Sequence, residues 1–256
     1  MATPPEVNRP VETVERSVAI LEYLKAEESA TLSEIAAELD CAKSTAHRHL
    51  KTLEASSFLV SEDEAYRLGV RFLDHGVAAR DWYDLFEEAK PKVDDLAAET
   101  DEKIWCTVEE HGRSVHIYGA RGKHSVRTHA RVGQRHHPHQ HAAGKSILAH
   151  LPGERVDDIV ETHGLPARTP HTITDPGELR AELETVRERG YAFNFEESVE
   201  GLHAVGAPVT DENDRAIGAI SISGPANRLS GTRLRDDLPD LLLGVVNEIS
   251  INLAHA

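Results

Sequence analysis

Thirteen consecutive residues, Cys41 to Leu53, hold Lys43, Arg48 and Lys51 and no acid, inside a chain with 44 acidic and 28 basic residues. At about 100° per residue, Ala46, Leu50 and Leu53 of this segment fall on one side of a helix, and Ser44, His47, Arg48 and Lys51 on the other. The apolar side needs something to pack against, and the preceding sequence supplies it. Val14, Val18, Leu21 and Leu24 recur at helical spacing, and Thr31-Leu32-Ser33-Glu34 has the form of a capping box opening a second helix through Leu39. Behind the basic helix, Phe58-Leu59-Val60, the acidic turn Ser61-Glu62-Asp63-Glu64 and Tyr66-Arg67-Leu68 read as a short hairpin. Three helices followed by a hairpin is the layout of a winged helix-turn-helix with its basic face outward. A major groove admits one α-helix, and Arg can bridge guanine O6 and N7, so Arg48 and His47 are candidates for base contact. Ser44, Thr45 and Lys51 are candidates for phosphate contact, Lys43 for either, and Arg67, in the wing, for the adjacent groove or phosphates. The partner implied is double-stranded DNA.

The 256 residues fit two domains. The reading is a tail over 1–12, the winged helix-turn-helix over 13–70, a helical linker over 71–90 with a break near Pro91, and an α+β domain over 91–256. The linker carries Trp82, Tyr83, Leu85 and Phe86, four apolar residues within five positions and a candidate seam for self-association. Strands are expected at Ile104–Val108, Ser114–Tyr118, Ser125–Thr128, His203–Val209 and Ala216–Ser223. Helices are expected at Ala142–His150, Gly153–Thr162, Gly177–Gly190 and from Leu238 to Leu253. The strands come in hairpins and not in regular βαβ units, which favours a mixed or antiparallel sheet.

Net charge is −16, with only 8 Lys against 20 Arg, a composition similar to proteins of salt-loving organisms. At molar salt, fields are screened within about 3 Å, so overall acidity does not exclude DNA; the placement of the bases decides. No run approaches the roughly 20 apolar residues of a membrane helix, and the start Met1-Ala2-Thr3-Pro4-Pro5-Glu6 has no secretory pattern, so a cytoplasmic location is expected. Cys41 and Cys106 form no CxxC and exclude a disulfide scaffold.

Several motifs together carry a family resemblance. Glu15-Arg16-Ser17-Val18-Ala19-Ile20-Leu21, Leu32-Ser33-Glu34-Ile35-Ala36, Lys43-Ser44-Thr45-Ala46-His47-Arg48 and Tyr66-Arg67-Leu68-Gly69 resemble the N-terminal domain of IclR-family transcription regulators. Arg131-Val132-Gly133, Gly144-Lys145-Ser146-Ile147-Leu148-Ala149, the stretch from Gly201 through Ala207-Pro208-Val209, and Gly218 to Pro225 follow in the family's order and spacing. The resemblance implies a GAF-like effector-binding domain, a homodimer or dimer of dimers, and repression or activation of transcription controlled by a small metabolite. It implies a cavity lined by Ala142, Ala143 and Gly144 at a helix start, by Asn194 and Ala204, and by Ser221 and Ser223. Some relatives carry Asp and Cys where this chain has Asn194 and Ala204, so a ligand does not transfer. A helix start beside two hydroxyls suits an anion, and a small carboxylate or sugar-derived metabolite is the expected effector, with no cofactor.

Two other chemistries compete. Gly144-Lys145-Ser146 is not a phosphate loop, because position 139 is His where such a loop needs Gly. His136, His137, His139 and His141, with His124 and His129 upstream, could serve a metal-responsive regulator, with Cys106 completing a ligand set. No acid or cysteine is spaced locally to close a tetrahedron, so the segment is read as a solvated loop and no metal site is assigned. An enzyme is not expected: HExxH and GxSxG are absent, and a hydrolase would need a dyad formed only in space, such as Ser223 with a histidine of 136–141.

Overall fold

The computed structural model describes residues 9–125 and 130–255. Most of the strand expected at Ser125–Thr128, together with His129 and the N-terminal hexapeptide, therefore lies outside the described residues. The chain divides into two compact units after Arg80.

The first unit contains α1 (Glu12–Glu27), β1 (Ala30–Thr31), α2 (Leu32–Glu38), α3 (Lys43–Ala55), β2 (Leu59–Glu62), β3 (Ala65–Leu68) and α4 (Arg71–Arg80). The capping box forms at α2: the Glu34 N–H donates to Thr31 Oγ1, and the Thr31 N–H donates to Glu34 Oε2 at 2.7 Å. Thr31 also ends β1, which pairs with β3, so the wing is a three-stranded antiparallel sheet in the order β1-β3-β2. A two-residue strand has no periodicity to read, which is why only the β2–β3 hairpin is visible in the sequence. Ile20, Leu24, Ile35, Leu50, Leu59 and Tyr66 form the core. Burying each large aliphatic side chain stabilises the unit by about 1.5–3 kcal/mol.

The second unit begins with α5 (Asp84–Thr100) and continues with β4 (Lys103–Glu110), β5 (Arg113–Arg121), β6 (Arg135–His136), α6 (Ala142–Ala149), α7 (Gly153–His163), α8 (Pro176–Arg189), β7 (Ala192–Phe195), β8 (Leu202–Thr210), β9 (Ala216–Pro225) and α9 (Leu238–His255). The six strands form one antiparallel sheet in the order β6-β5-β4-β9-β8-β7. Alternation along the strands separates its two faces. Ile104, Val205, Ile220 and Ile222 face a core shared with α5 and α9, through Phe86, Val93, Leu242 and Val246. Ala192, Ala204 and Ala219 belong to a second core with α6, α7 and α8. The small side chains on that face let α6 approach closely. A Cβ on Gly206 would lie 2.6 Å from the Ala143 nitrogen, and one on Gly144 would lie 2.2 Å from the Pro138 carbonyl oxygen.

The linker reading needs correction. Residues 71–90 are not one linker: α4 belongs to the first unit, the break falls between Arg80 and Asp84, and Pro91 lies inside α5. Leu85 and Phe86 are buried in their own unit's core, because the helical spacing that looked like a seam turns them onto the sheet, while Trp82 stays 87% exposed. Among the described residues no helix is long and apolar enough to cross a membrane.

Candidate functional site

Two places in the molecule gather candidate functional side chains, one in each unit. On α3, Ala46 and Leu50 are buried, whereas Lys43, Ser44, His47, Arg48 and Lys51 are exposed and Thr45 is half-buried. Lys43, His47 and Arg48 have no ion-pair partner among the described residues. Lys51 differs. Its ammonium lies 2.7 Å from Glu54 Oε2 and over the Tyr66 ring, while Ser61 donates to the other Glu54 oxygen at 2.5 Å. Lys51 therefore helps tie α3 to the wing. Arg67 is likewise engaged, at 2.7 Å from Glu62 Oε1. The sequence showed these two charges and could not show their partners.

In the second unit a cavity of about 90 Å³ opens on the α6 side of the sheet. Trp105 on β4 stacks on His116 of β5, with centroids 4.3 Å apart and planes 10° from parallel. The two-residue pairing of β6 with β5 sets His136 opposite Ser114 and brings its ring 4.9 Å from His116. His141, the N-cap of α6, completes the group at 5.7 Å from His136 and 5.9 Å from His116. Burial, with smaller contributions from His136 and Lys103, pushes His116 down to about 3. Burial and the Arg168 charge push His136 down to about 4, and burial with neighbouring charges carries His141 well below its ordinary value. All three rings are neutral at pH 7.

Of the residues expected to line an effector cavity, Ala142, Asn194, Ala204, Ser221 and Ser223 do so, and Ala143 and Gly144 do not. Gly144 faces the Pro138 backbone, Ala143 packs on Gly206, and the Gly144 N–H donates to His141 Nδ1 at 3.4 Å. Asn194 is fully buried; it donates to the Gln140 carbonyl at 2.8 Å and accepts from the Glu197 N–H at 3.2 Å, so it braces the cavity wall. Ser223 donates to the Lys103 carbonyl at 3.3 Å and not to a histidine, so the hydrolase dyad does not form. The Ser221 hydroxyl has no hydrogen-bond partner among the described residues.

The solvated-loop reading of the histidines is overturned. His139 is 1% exposed, and its Nε2 contacts the Pro166 carbonyl at 3.2 Å. His136 and His141 line the cavity. Among the described residues no three His, Cys, Asp or Glu side chains converge to hold a metal ion, and Cys106 is buried in the opposite core. Sequence reasoning missed Trp105, His116, Gln140, Arg168, Ser198, Val199 and Leu202. Their only common feature is proximity in the folded sheet, which no spacing rule reports. Arg168 is exposed at the cavity, has no ion pair among the described residues, and lies on the loop held by Thr172, whose Oγ1 accepts the Arg168 N–H at 3.1 Å.

The fold agrees with comparisons to known proteins. The IclR helix-turn-helix domain family matches residues 13–63, and the family described as bacterial transcriptional regulator IclR C-terminal matches residues 77–251. "Probable HTH-type transcriptional regulator ArcR" of Halobacterium salinarum is 32% identical, covering 97% of this chain and 96% of its own length. "HTH-type transcriptional repressor AllR" of Escherichia coli is 32% identical, covering 90% of this chain and 86% of its own. The crystal structure of the Thermotoga maritima IclR superposes with a TM-score of 0.79 at 29% identity, over 95% of this chain and 99% of that one. The chain belongs to the IclR family of DNA-binding transcription regulators, a family of regulators and not of enzymes.

Proposed function

We propose that the protein is a ligand-responsive regulator in which α3 reads operator DNA and the cavity takes a small organic acid that changes DNA affinity. The observation that carries the acid reading is the charge of the cavity wall. In a chain of net charge −16, its described lining contains one formally charged side chain, Arg168, and no carboxylate. An acid entering there meets Arg168, the free Ser221 hydroxyl and neutral imidazoles, with no like charge to oppose it.

On DNA, Arg48 and His47 read bases, Ser44 holds a phosphate and Lys43 contacts either, since these four side chains are exposed on α3, and the half-buried Thr45 is a further phosphate contact. Lys51 and Arg67 contact the backbone only by giving up the acids that hold them. Two copies read paired half-sites. The surfaces for that pairing are Val14 and Val18 on α1, 59% and 52% exposed, and Leu73 and Val77 on α4, 69% and 37% exposed. They replace the seam expected at Leu85 and Phe86. Repression is the favoured sign, in line with the relatives named repressors, and the cytoplasm is the favoured location.

Thermal-shift titration of the full chain with small carboxylates, amines and divalent metals tests the acid reading. Carboxylates should raise the midpoint, and Arg168→Ala should abolish the rise; a ligand at 100 times its Kd adds about 2.7 kcal/mol. Stabilisation by amines or metals alone contradicts it.

A further inference from the structure

The helix start that sequence reasoning offered to an anion is closed by a ring. His141 has the extended backbone of an N-cap, and its Nδ1 accepts the Gly144 N–H at 3.4 Å. An accepting Nδ1 carries no proton, so the single proton of the ring sits on Nε2. That Nε2 is buried and has no hydrogen-bond partner among the described residues, and the same holds for His136 Nε2 in the neighbouring ring. A buried donor left without an acceptor costs about as much as a lost hydrogen bond, and both rings line the cavity.

We propose that His141 is a ligand-binding residue that passes the donor character of the α6 N-terminus to the cavity through its ring, and that Nε2–H donates to an oxygen of a compact carboxylate. The proposal rests on the acid reading of the cavity and adds the group that recognises the acid. Arg168 takes the charge from the exposed side, and its field already acts on both His136 and His141. His136 and Ser221 line the same cavity. The cavity of about 90 Å³ suits a compact ligand.

Two substitutions separate the ring's capping role from its ligand role. In His141→Asn the amide oxygen stands near the former Nδ1, and Asn is a favoured N-cap, but nothing reaches the Nε2 position. In His141→Gln the amide nitrogen stands near the former Nε2, and the cap is lost. The probes are acetate, lactate and oxalate, titrated at constant ionic strength against the full chain, with melting midpoint and apparent Kd as readouts. The wild type should bind at least one of them. His141→Asn should melt near the wild-type temperature and bind that acid about tenfold more weakly or worse, whereas His141→Gln should melt lower and keep its affinity within a few-fold. Wild-type affinity in His141→Asn, or equal loss of affinity in both variants, overturns the assignment and leaves the acid reading standing. If none of the three acids binds the wild type, the acid reading and this assignment fall together.

Discussion

The proposed DNA-reading face and the cavity are built in opposite ways. On α3 the functional groups lie within one turn or two of one another along the chain, stand in solvent, and depend on the fold only through Ala46 and Leu50 beneath them. The cavity draws on β4, β5, β6, the start of α6, the loop bearing Arg168, the β7–β8 loop and β9. Its polar groups are braced by buried hydrogen bonds from Asn194, Gln140 and Thr172. A substitution on the open face should therefore register as lost affinity at unchanged stability. One in the cavity's frame should register as lost stability first.

The largest effect expected from this contrast is at Lys145, which is 1% exposed and lies 2.8 Å from Glu197 Oε1 and 3.3 Å from Glu182 Oε1. Lys145→Ala leaves the buried Glu197 carboxylate unpaired and should cost about 3–5 kcal/mol in urea unfolding of the second unit. A loss no greater than that of an ordinary surface substitution, about 0.5 kcal/mol, would show that the frame is not under this constraint.

Acid pH sharpens the same contrast. His116, held at about 3, and His136, at about 4, are neutral when folded and free to protonate when unfolded. Between their ordinary pKa and those values the unfolded chain binds more protons, so stability rises with pH and is lost as pH falls from about 6.5 toward 4. The slope should approach 1.4 kcal/mol per pH unit for each such ring. Urea midpoints of the second unit measured across this range test the point, and a flat profile down to pH 4.5 would remove the buried-imidazole account.

Smaller effects belong to the open face. Arg48→Ala should weaken operator binding by about 1–3 kcal/mol and relax base choice, while the unfolding midpoint stays put. Lys51→Ala should reduce binding to all sequences alike and lower the salt slope by at most about 0.9, and less if Glu54 keeps the ammonium from the phosphates. Filter binding over a salt series distinguishes them; a sequence-dependent effect at Lys51 would reverse the two roles.

The same contrast explains what was legible in the sequence. Helical periodicity, the capping box and the acidic hairpin turn are local patterns, and they placed α2, α3 and the wing. In the second unit the longer elements were also visible, from α6 to α9 and from β8 to β9. What escaped were the shortest ones. The two-residue β6 and the three-residue turn Pro138–Gln140 carry no period, yet they fold the histidine segment onto the sheet and turn polar residues read as solvated into a cavity wall. Trp105 and Arg168 are far apart in the chain and meet only through that arrangement.

The central claim is that the two sites are coupled, and one measurement addresses it directly. The affinity of the full chain for the DNA upstream of its own gene is measured without acid and with an acid that raises the melting midpoint. Coupling of about 1–3 kcal/mol predicts a change in Kd of about 5- to 150-fold, and DNA must change the affinity for the acid by the same factor. Equal DNA affinity with and without a bound acid would contradict the account, leaving a DNA-binding protein whose cavity does not regulate it.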